Sequence, residues 1–175
     1  MHRVFAGLLA ALCVSLPAHG QDNPGDIVVS GVRTDNGTPG GLWLADTAAP
    51  QPLTLIGSTL SPLDNAASLA IDPFDPTRFY AGTYSRRLGG ELTPTYLLRL
   101  ELRGGALRKA DVLNYSEMDE DIVLAVVPLG EHLYYLGRHS VGRVPLSGGK
   151  VEQLVELPDW VEPRGMASDG RYLYA

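Results

Sequence analysis

Four carboxylates crowd into positions 117 to 121: Glu117, Asp119, Glu120 and Asp121. Glu117, Asp119 and Asp121 alternate along the chain, and a hard cation such as calcium takes oxygen ligands of this kind. The segment lacks the glycine turn and the spacing of the helix–loop–helix calcium motif. An acidic run is ordinarily a solvated loop whose charge discourages strand pairing. Calcium at Glu117, Asp119 and Asp121 is therefore the only metal the sequence suggests, and otherwise no cofactor is expected.

Asp72 and Asp75 are each followed by proline, Pro73 and Pro76. Two carboxylates facing one substrate would suit a glycoside hydrolase. Asp-Pro is also ordinary turn chemistry, in which the carboxylate accepts backbone N–H bonds two residues on. The turn is the expected reading, and Asp169-Gly170 reads the same way. His132 and His139 lie seven residues apart, without the neighbours that a metal site or a general base requires. No Gly-x-Ser-x-Gly nucleophile signature and no glycine-rich phosphate loop occurs. Two residues stand out for binding. Arg164 precedes a short apolar strand, where its fork of donors could receive a carboxylate or phosphate. Trp160, in Leu157-Pro158-Asp159-Trp160, is a candidate exposed aromatic on a loop.

The elements that would position these residues are strands. The chain has 20 glycines and 13 prolines spread along its length. Between them lie short apolar or alternating runs, with no sustained helical stripe, which is the pattern of an all-β protein. The runs recur. Leu69-Ala70-Ile71-Asp72 leads to Arg78-Phe79-Tyr80-Ala81-Gly82. Leu124-Ala125-Val126-Val127 leads to His132-Leu133-Tyr134-Tyr135-Leu136-Gly137, and Gly165-Met166-Ala167-Ser168 leads to Arg171-Tyr172-Leu173-Tyr174. Phe79, Leu133 and Leu173 occupy matching places, with Ile27 one repeat earlier. Four short strands in a repeat of roughly 40–50 residues indicate propeller blades. Small residues such as Ala70, Ala125 and Ala167 suit the crowded inner strand. Tyr80, Tyr134 and Tyr172 are expected to fill the wider space between blades.

Gly142-Arg143-Val144-Pro145-Leu146-Ser147-Gly148-Gly149-Lys150-Val151-Glu152-Gln153-Leu154 resembles the third-to-fourth strand hairpin of TolB-like and NHL-like bacterial propellers. Pro163 to Tyr174 and Ile71 to Arg78 are similar to the inner-to-second strand turns of the same families. The resemblance covers most of residues 26–175 and implies architecture rather than activity, because these motifs serve blade packing.

The N-terminus has its own signature. Arg3 is followed by the apolar run Val4 to Leu16, then Pro17 and Ala18-His19-Gly20. This is the three-part pattern of a secretory leader, and the run is shorter than the roughly 20 residues of a membrane span. Residues 1–20 are expected to be a signal peptide and residues 21–175 a partial propeller, periplasmic or secreted in a bacterium. Cys13 is the only cysteine, so residues 21–175 hold no disulfide. Without Arg3 there are 13 basic and 20 acidic residues, a net charge of −7. An acidic balance argues against nucleic acid as partner. Strand counting gives three strands, four, four and two, or about three and a quarter blades. Closed propellers use about 4–8, so the chain is expected to be part of a larger ring or an open array completed by association. The function expected is non-catalytic binding of a protein, peptide or glycan. The alternative is a lactonase-like or other propeller hydrolase with a metal-assisted site completed by further blades.

Overall fold

The computed structural model describes residues 13–15, 27–31, 41–45, 54–55, 66–85, 87–88, 91–92, 94–104, 106–115 and 122–175. Among them there is no helix. Strands β1 (Cys13–Ser15), β2 (Ile27–Gly31), β3 (Gly41–Ala45) and β4 (Thr54–Leu55) form a first antiparallel sheet in chain order. Strands β5 (Ala66–Asp72) and β6 (Asp75–Thr83) begin a second sheet. A small hairpin of β7 (Arg87–Leu88) and β8 (Glu91–Leu92) intervenes before β9 (Tyr96–Arg103) and β10 (Ala106–Tyr115) complete that sheet as β5-β6-β9-β10. The third sheet is β11 (Val123–Leu129), β12 (His132–Gly137), β13 (Ser140–Pro145) and β14 (Glu152–Glu156), again in chain order. Strands β15 (Ala167–Ser168) and β16 (Leu173–Tyr174) pair as a final hairpin.

The repeat read from the sequence is visible in this order. Ile27, Phe79, Leu133 and Leu173 lie on β2, β6, β12 and β16, each the second strand of its sheet. The first sheet has four strands where three were expected. Its inner strand is Cys13–Ser15, paired with Ile27–Val29 and drawn from the apolar run ahead of Pro17.

Alternation along each strand sends successive side chains to opposite faces, and both faces of the second sheet are used. Phe79 packs with Leu42, Leu69, Leu98 and Leu100 toward the first sheet. Its neighbour Tyr80 packs with Val123, Val126, Leu133 and Tyr135 toward the third. Burying each such side chain contributes roughly 1.5–3 kcal/mol, so these two clusters hold the sheets together. Gly82 marks a close approach between the second and third sheets. A Cβ there would lie 2.3 Å from Val123 Cγ1 and 2.7 Å from Ser68 Oγ.

Polar bonds tie the outer half of the same interface. Arg99 donates through Nε and Nη2 to Asp111 Oδ2, its cross-strand neighbour, and through Nη1 to the Leu146 carbonyl of the third sheet at 3.1 Å. Asn114 Nδ2 donates to the Gly149 carbonyl at 2.8 Å, and Gly149 N–H donates back to the Leu113 carbonyl at 3.1 Å. Gly148 and Gly149 adopt φ of 86° and 130°, which lets this hairpin tip turn sharply against β10.

The inter-blade tyrosines sort by what lies beyond them. Tyr80 is buried as expected. On β12 the fully buried tyrosine is Tyr135, which faces the second sheet, while Tyr134 takes the opposite face and is half-buried. Tyr172 departs from the expectation: it is exposed and stacks with the Arg171 guanidinium, because only the two-stranded β15–β16 stands at its position among the described residues.

Candidate ligand-binding cleft

The inner strands β5 and β11 lie side by side, and the segment 164–170 continues their series. Together they line a cleft of about 950 Å³. Its walls are aliphatic: Leu69 and Ile71 from β5, Leu124, Val126 and Val127 from β11, and Met166 ahead of β15. Sequence explains this directly. Inner strands of stacked sheets are apolar on both sides, so the side turned to the axis stays apolar where no neighbour covers it. A concave, mostly apolar site with a few convergent polar groups is the usual form of a ligand pocket.

The polar groups gather where β5 turns into β6. Asp72 is buried. Its Oδ1 accepts the Phe74 N–H at 2.9 Å, and its Oδ2 accepts the Tyr80 hydroxyl at 3.0 Å and Arg78 Nη1 at 3.3 Å. Arg78 Nη2 also reaches Asp75 Oδ2 at 3.1 Å. Asp75 accepts both the hydroxyl and the N–H of Thr77. The turn reading of Asp72 and Asp75 therefore holds. Burial pushes the Tyr80 phenol up to about 12, with its bond to Asp72 adding to the shift. The Thr77 hydroxyl, followed by its N–H and Arg78, holds the Asp75 carboxyl below its ordinary value against a smaller effect of burial. Asp72, Phe74 and Arg78 all border the cleft. Phe74 is exposed at its rim.

A second, smaller hollow of about 190 Å³ lies on the outer side of Arg78, between Arg99, Glu101, Lys109 and Asp111. Arg78, Arg99 and Lys109 meet Glu101 and Asp111 there, and Glu101 is paired with Arg103 at 2.6 Å. Arg99 and Lys109 both reach Asp111 Oδ2, at 2.7 and 3.0 Å, and hold its carboxyl below the ordinary value.

Of the residues singled out in the sequence, Arg164 borders the cleft. Its side chain is 85% exposed and pairs with Glu162 at 2.7 Å. Trp160 is 84% exposed and stands apart from the cleft lining. Glu117, Asp119 and Asp121 lie outside the described residues. His132 tilts against the Tyr134 ring at 6.3 Å between centroids, a surface pairing away from the cleft. Asp169 accepts the N–H groups of Arg171 and Tyr172, as its Asp-Gly turn predicts.

A metal-assisted reaction would need oxygen or nitrogen ligands free to converge. Among the described residues, no three His, Cys, Asp or Glu side chains come together. The carboxylate at the cleft, Asp72, is already engaged by a cation and two neutral donors. These residues do not fit a divalent cation. What sequence reading missed is the Asp72–Arg78–Tyr80 constellation. Its signal was the two-residue spacing of Arg78 and Tyr80, which puts both on one face of β6 beside the end of β5.

No family model matches the chain, and no curated protein matches it. A solved structure of a gluconolactonase from Xanthomonas campestris is similar, with a TM-score of 0.55 and 14% identity. The likeness covers 83% of this chain and 48% of that one, so this chain spans about half the length of that protein. At this identity the likeness speaks for the fold. The chain has β-propeller architecture, an all-β arrangement of antiparallel sheets.

Proposed function

We propose that this chain is the ligand-binding part of an exported bacterial propeller of TolB-like or NHL-like type, without catalytic activity of its own. Without β1, which lies in the leader, and the small β7–β8 hairpin, thirteen strands support a count of about three and a quarter blades. The charged start, the apolar run Val4 to Leu16 and Ala18-His19-Gly20 support export to the periplasm or medium. The observation that carries the binding function is the inner-strand cleft, lined mainly by aliphatic side chains with Asp72, Arg78, Arg164 and Ser168 among them. Such a lining favours a protein or peptide segment with aliphatic side chains over a glycan. A glycan would require more polar and aromatic groups than Phe74, Asp72, Arg78, Arg164 and Ser168 offer.

Selection of a displayed peptide library on the immobilised chain tests this reading, with Gly165→Trp as the blocking variant. Gly165 borders the cleft, and a Cβ there meets nothing within 4 Å, so the indole can enter without displacing the fold. Enrichment of apolar peptides that lose binding to Gly165→Trp is the expected outcome. Equal binding to both proteins would place the peptide elsewhere and overturn the reading.

The structural neighbour favours one second reading, a lactonase-like hydrolase. Acid release from glucono-lactone, abolished by EDTA, would support it. The described residues supply no metal site for that chemistry, so its ligands would have to come from outside them.

A further inference from the structure

The polar hollow beside Arg78 is built by strand register. Arg78, Glu101 and Lys109 face one another across β6, β9 and β10, and Arg99 and Asp111 form the next row two residues along. Residues two apart on a strand share a face, so all five charged side chains rise from the side of the second sheet that meets the third. Arg99 Nη1 donates to the Leu146 carbonyl at 3.1 Å, which fixes that guanidinium against the third sheet. The lining is charged except for Leu100, and the strands that carry it are held by buried core on both faces.

The carboxylates of the hollow are more fully engaged than its cations. Asp111 Oδ2 accepts Arg99 Nε, Arg99 Nη2 and Lys109 Nζ. Glu101 Oε1 pairs with Arg103, which stands outside the lining. An arginine carries five N–H donors and a lysine three. Arg78 directs one donor to Asp72 and one to Asp75, both outside the hollow. Arg99 gives one to a carbonyl and two to Asp111, and Lys109 gives one to Asp111. Among the described residues, the three cations thus hold more N–H donors than the two carboxylates accept. A group that only accepts, through several oxygens, balances them.

We propose that this hollow is an oxyanion site, which takes the phosphate group of a free phosphate ion or of a phosphate monoester between Arg78, Arg99 and Lys109. Its 190 Å³ equals about six water volumes at roughly 30 Å³ each, room for one phosphate group and not for a nucleoside. A tetrahedral group reaches cations on three strands at once, whereas a carboxylate has only two oxygens. The arginine fork also matches phosphate bidentately. Glu101 lines the same hollow and opposes an anion, while Asp72 and Asp75 hold Arg78 from its other side. Binding is therefore weak, in the millimolar range, and is weakened further by salt. The site is separate from the apolar cleft, and only Arg78 borders both.

Amide NMR of the full chain, titrated with sodium phosphate at an ionic strength held constant with chloride, tests the proposal. Saturable shifts centred on Arg78, Arg99 and Lys109, with a Kd of about 1–10 mM, are expected. The Lys109 side chain is 58% exposed, so Lys109→Gln leaves the fold intact. It should weaken binding about tenfold, and Lys109→Arg should restore it. Glu101→Gln should tighten binding, because it removes the opposing charge, and a merely structural role would not give the two variants opposite signs. Methyl phosphate that binds as tightly as phosphate assigns the group to an ester, and binding of phosphate alone assigns it to the ion; both uphold the site. No saturation up to about 100 mM, tenfold above the weakest Kd expected, would overturn it. So would acetate binding as tightly as phosphate, or shifts indifferent to both Lys109→Gln and Glu101→Gln.

Discussion

The two sides of the third sheet make an instructive pair. Toward the second sheet, Val123, Leu133, Tyr135 and Val144 are buried against Tyr80 and Leu97, and the hairpin tip is bonded to β10. Toward β15 and β16, Tyr134 is half-buried, β14 is exposed along its length, and Leu154 and Val155 face solvent. The face toward the second sheet is apolar, whereas the other mixes Leu136 and Val141 with His132, Tyr134 and Arg143. Leu136 is nonetheless fully buried. The contrast teaches that burial in this fold follows both the strand's own pattern and the neighbour it meets.

The sharpest way to break the contrast is truncation on both sides. Leu133→Ala removes a fully buried side chain and should cost about 2–5 kcal/mol. Leu154→Ala should stay within about 0.5 kcal/mol, as surface substitutions do. Chemical denaturation of the two variants against the parent chain measures the difference, and equal losses would dissolve it.

Glycines give a second contrast. Gly82→Ala drives a methyl into Val123 and Ser68 and should cost about 1–3 kcal/mol through overpacking. Gly165→Ala, with open space around it, should leave the melting temperature unchanged.

The Asp72 network allows a finer test. Asp72→Asn weakens the acceptor for Tyr80, Arg78 and Phe74 and should cost about 1–3 kcal/mol. The Tyr80 phenol, raised to about 12, should then titrate lower, yet still above 10.0, because burial is the larger cause of its shift. Absorbance titration near the phenolate band reads this. In the parent chain a raised phenol stabilises the fold below pH 10, and that contribution is lost as pH rises through about 12.

The smallest expected effect is at the acid end. Asp75 and Asp111 titrate below their ordinary value of 3.8 when folded. Their contribution is present above that value and is lost as pH falls through the lower folded values. Melting temperatures should therefore decline below about pH 4, less steeply in an Asp75→Asn variant. Identical acid limbs in parent and variant would remove Asp75 from the account.

Much of the architecture was legible in the residues. The spacing of Phe79, Leu133 and Leu173 located the second strands, and Gly148-Gly149 located a hairpin tip. Turn chemistry at Asp72, Asp75 and Asp169 was legible because an aspartate bonds the backbone two or three residues on, within one local segment. The cleft was not. Leu69, Val126 and Met166 lie far apart along the chain and converge only when inner strands stack, so no local pattern announces them. Arg164 was found at the rim because it precedes an inner strand, but its ion pair with Glu162 was not anticipated. The fate of Tyr134 and Tyr172 was hidden for the same reason, since both residues fit an inter-blade position whose other half is a matter of neighbours.

Amide hydrogen exchange followed residue by residue tests the central contrast most directly. Protection reports how readily each element opens. The account predicts that β6 and β9, in the sheet covered on both faces, exchange slowest, that β12, covered mainly on one face, follows, and that Leu173 and Tyr174 of β16 exchange among the fastest of the strand amides. Equal protection of β12 and β16 would contradict it, because the last hairpin would then be held by a neighbour as firmly as the third sheet is held by the second.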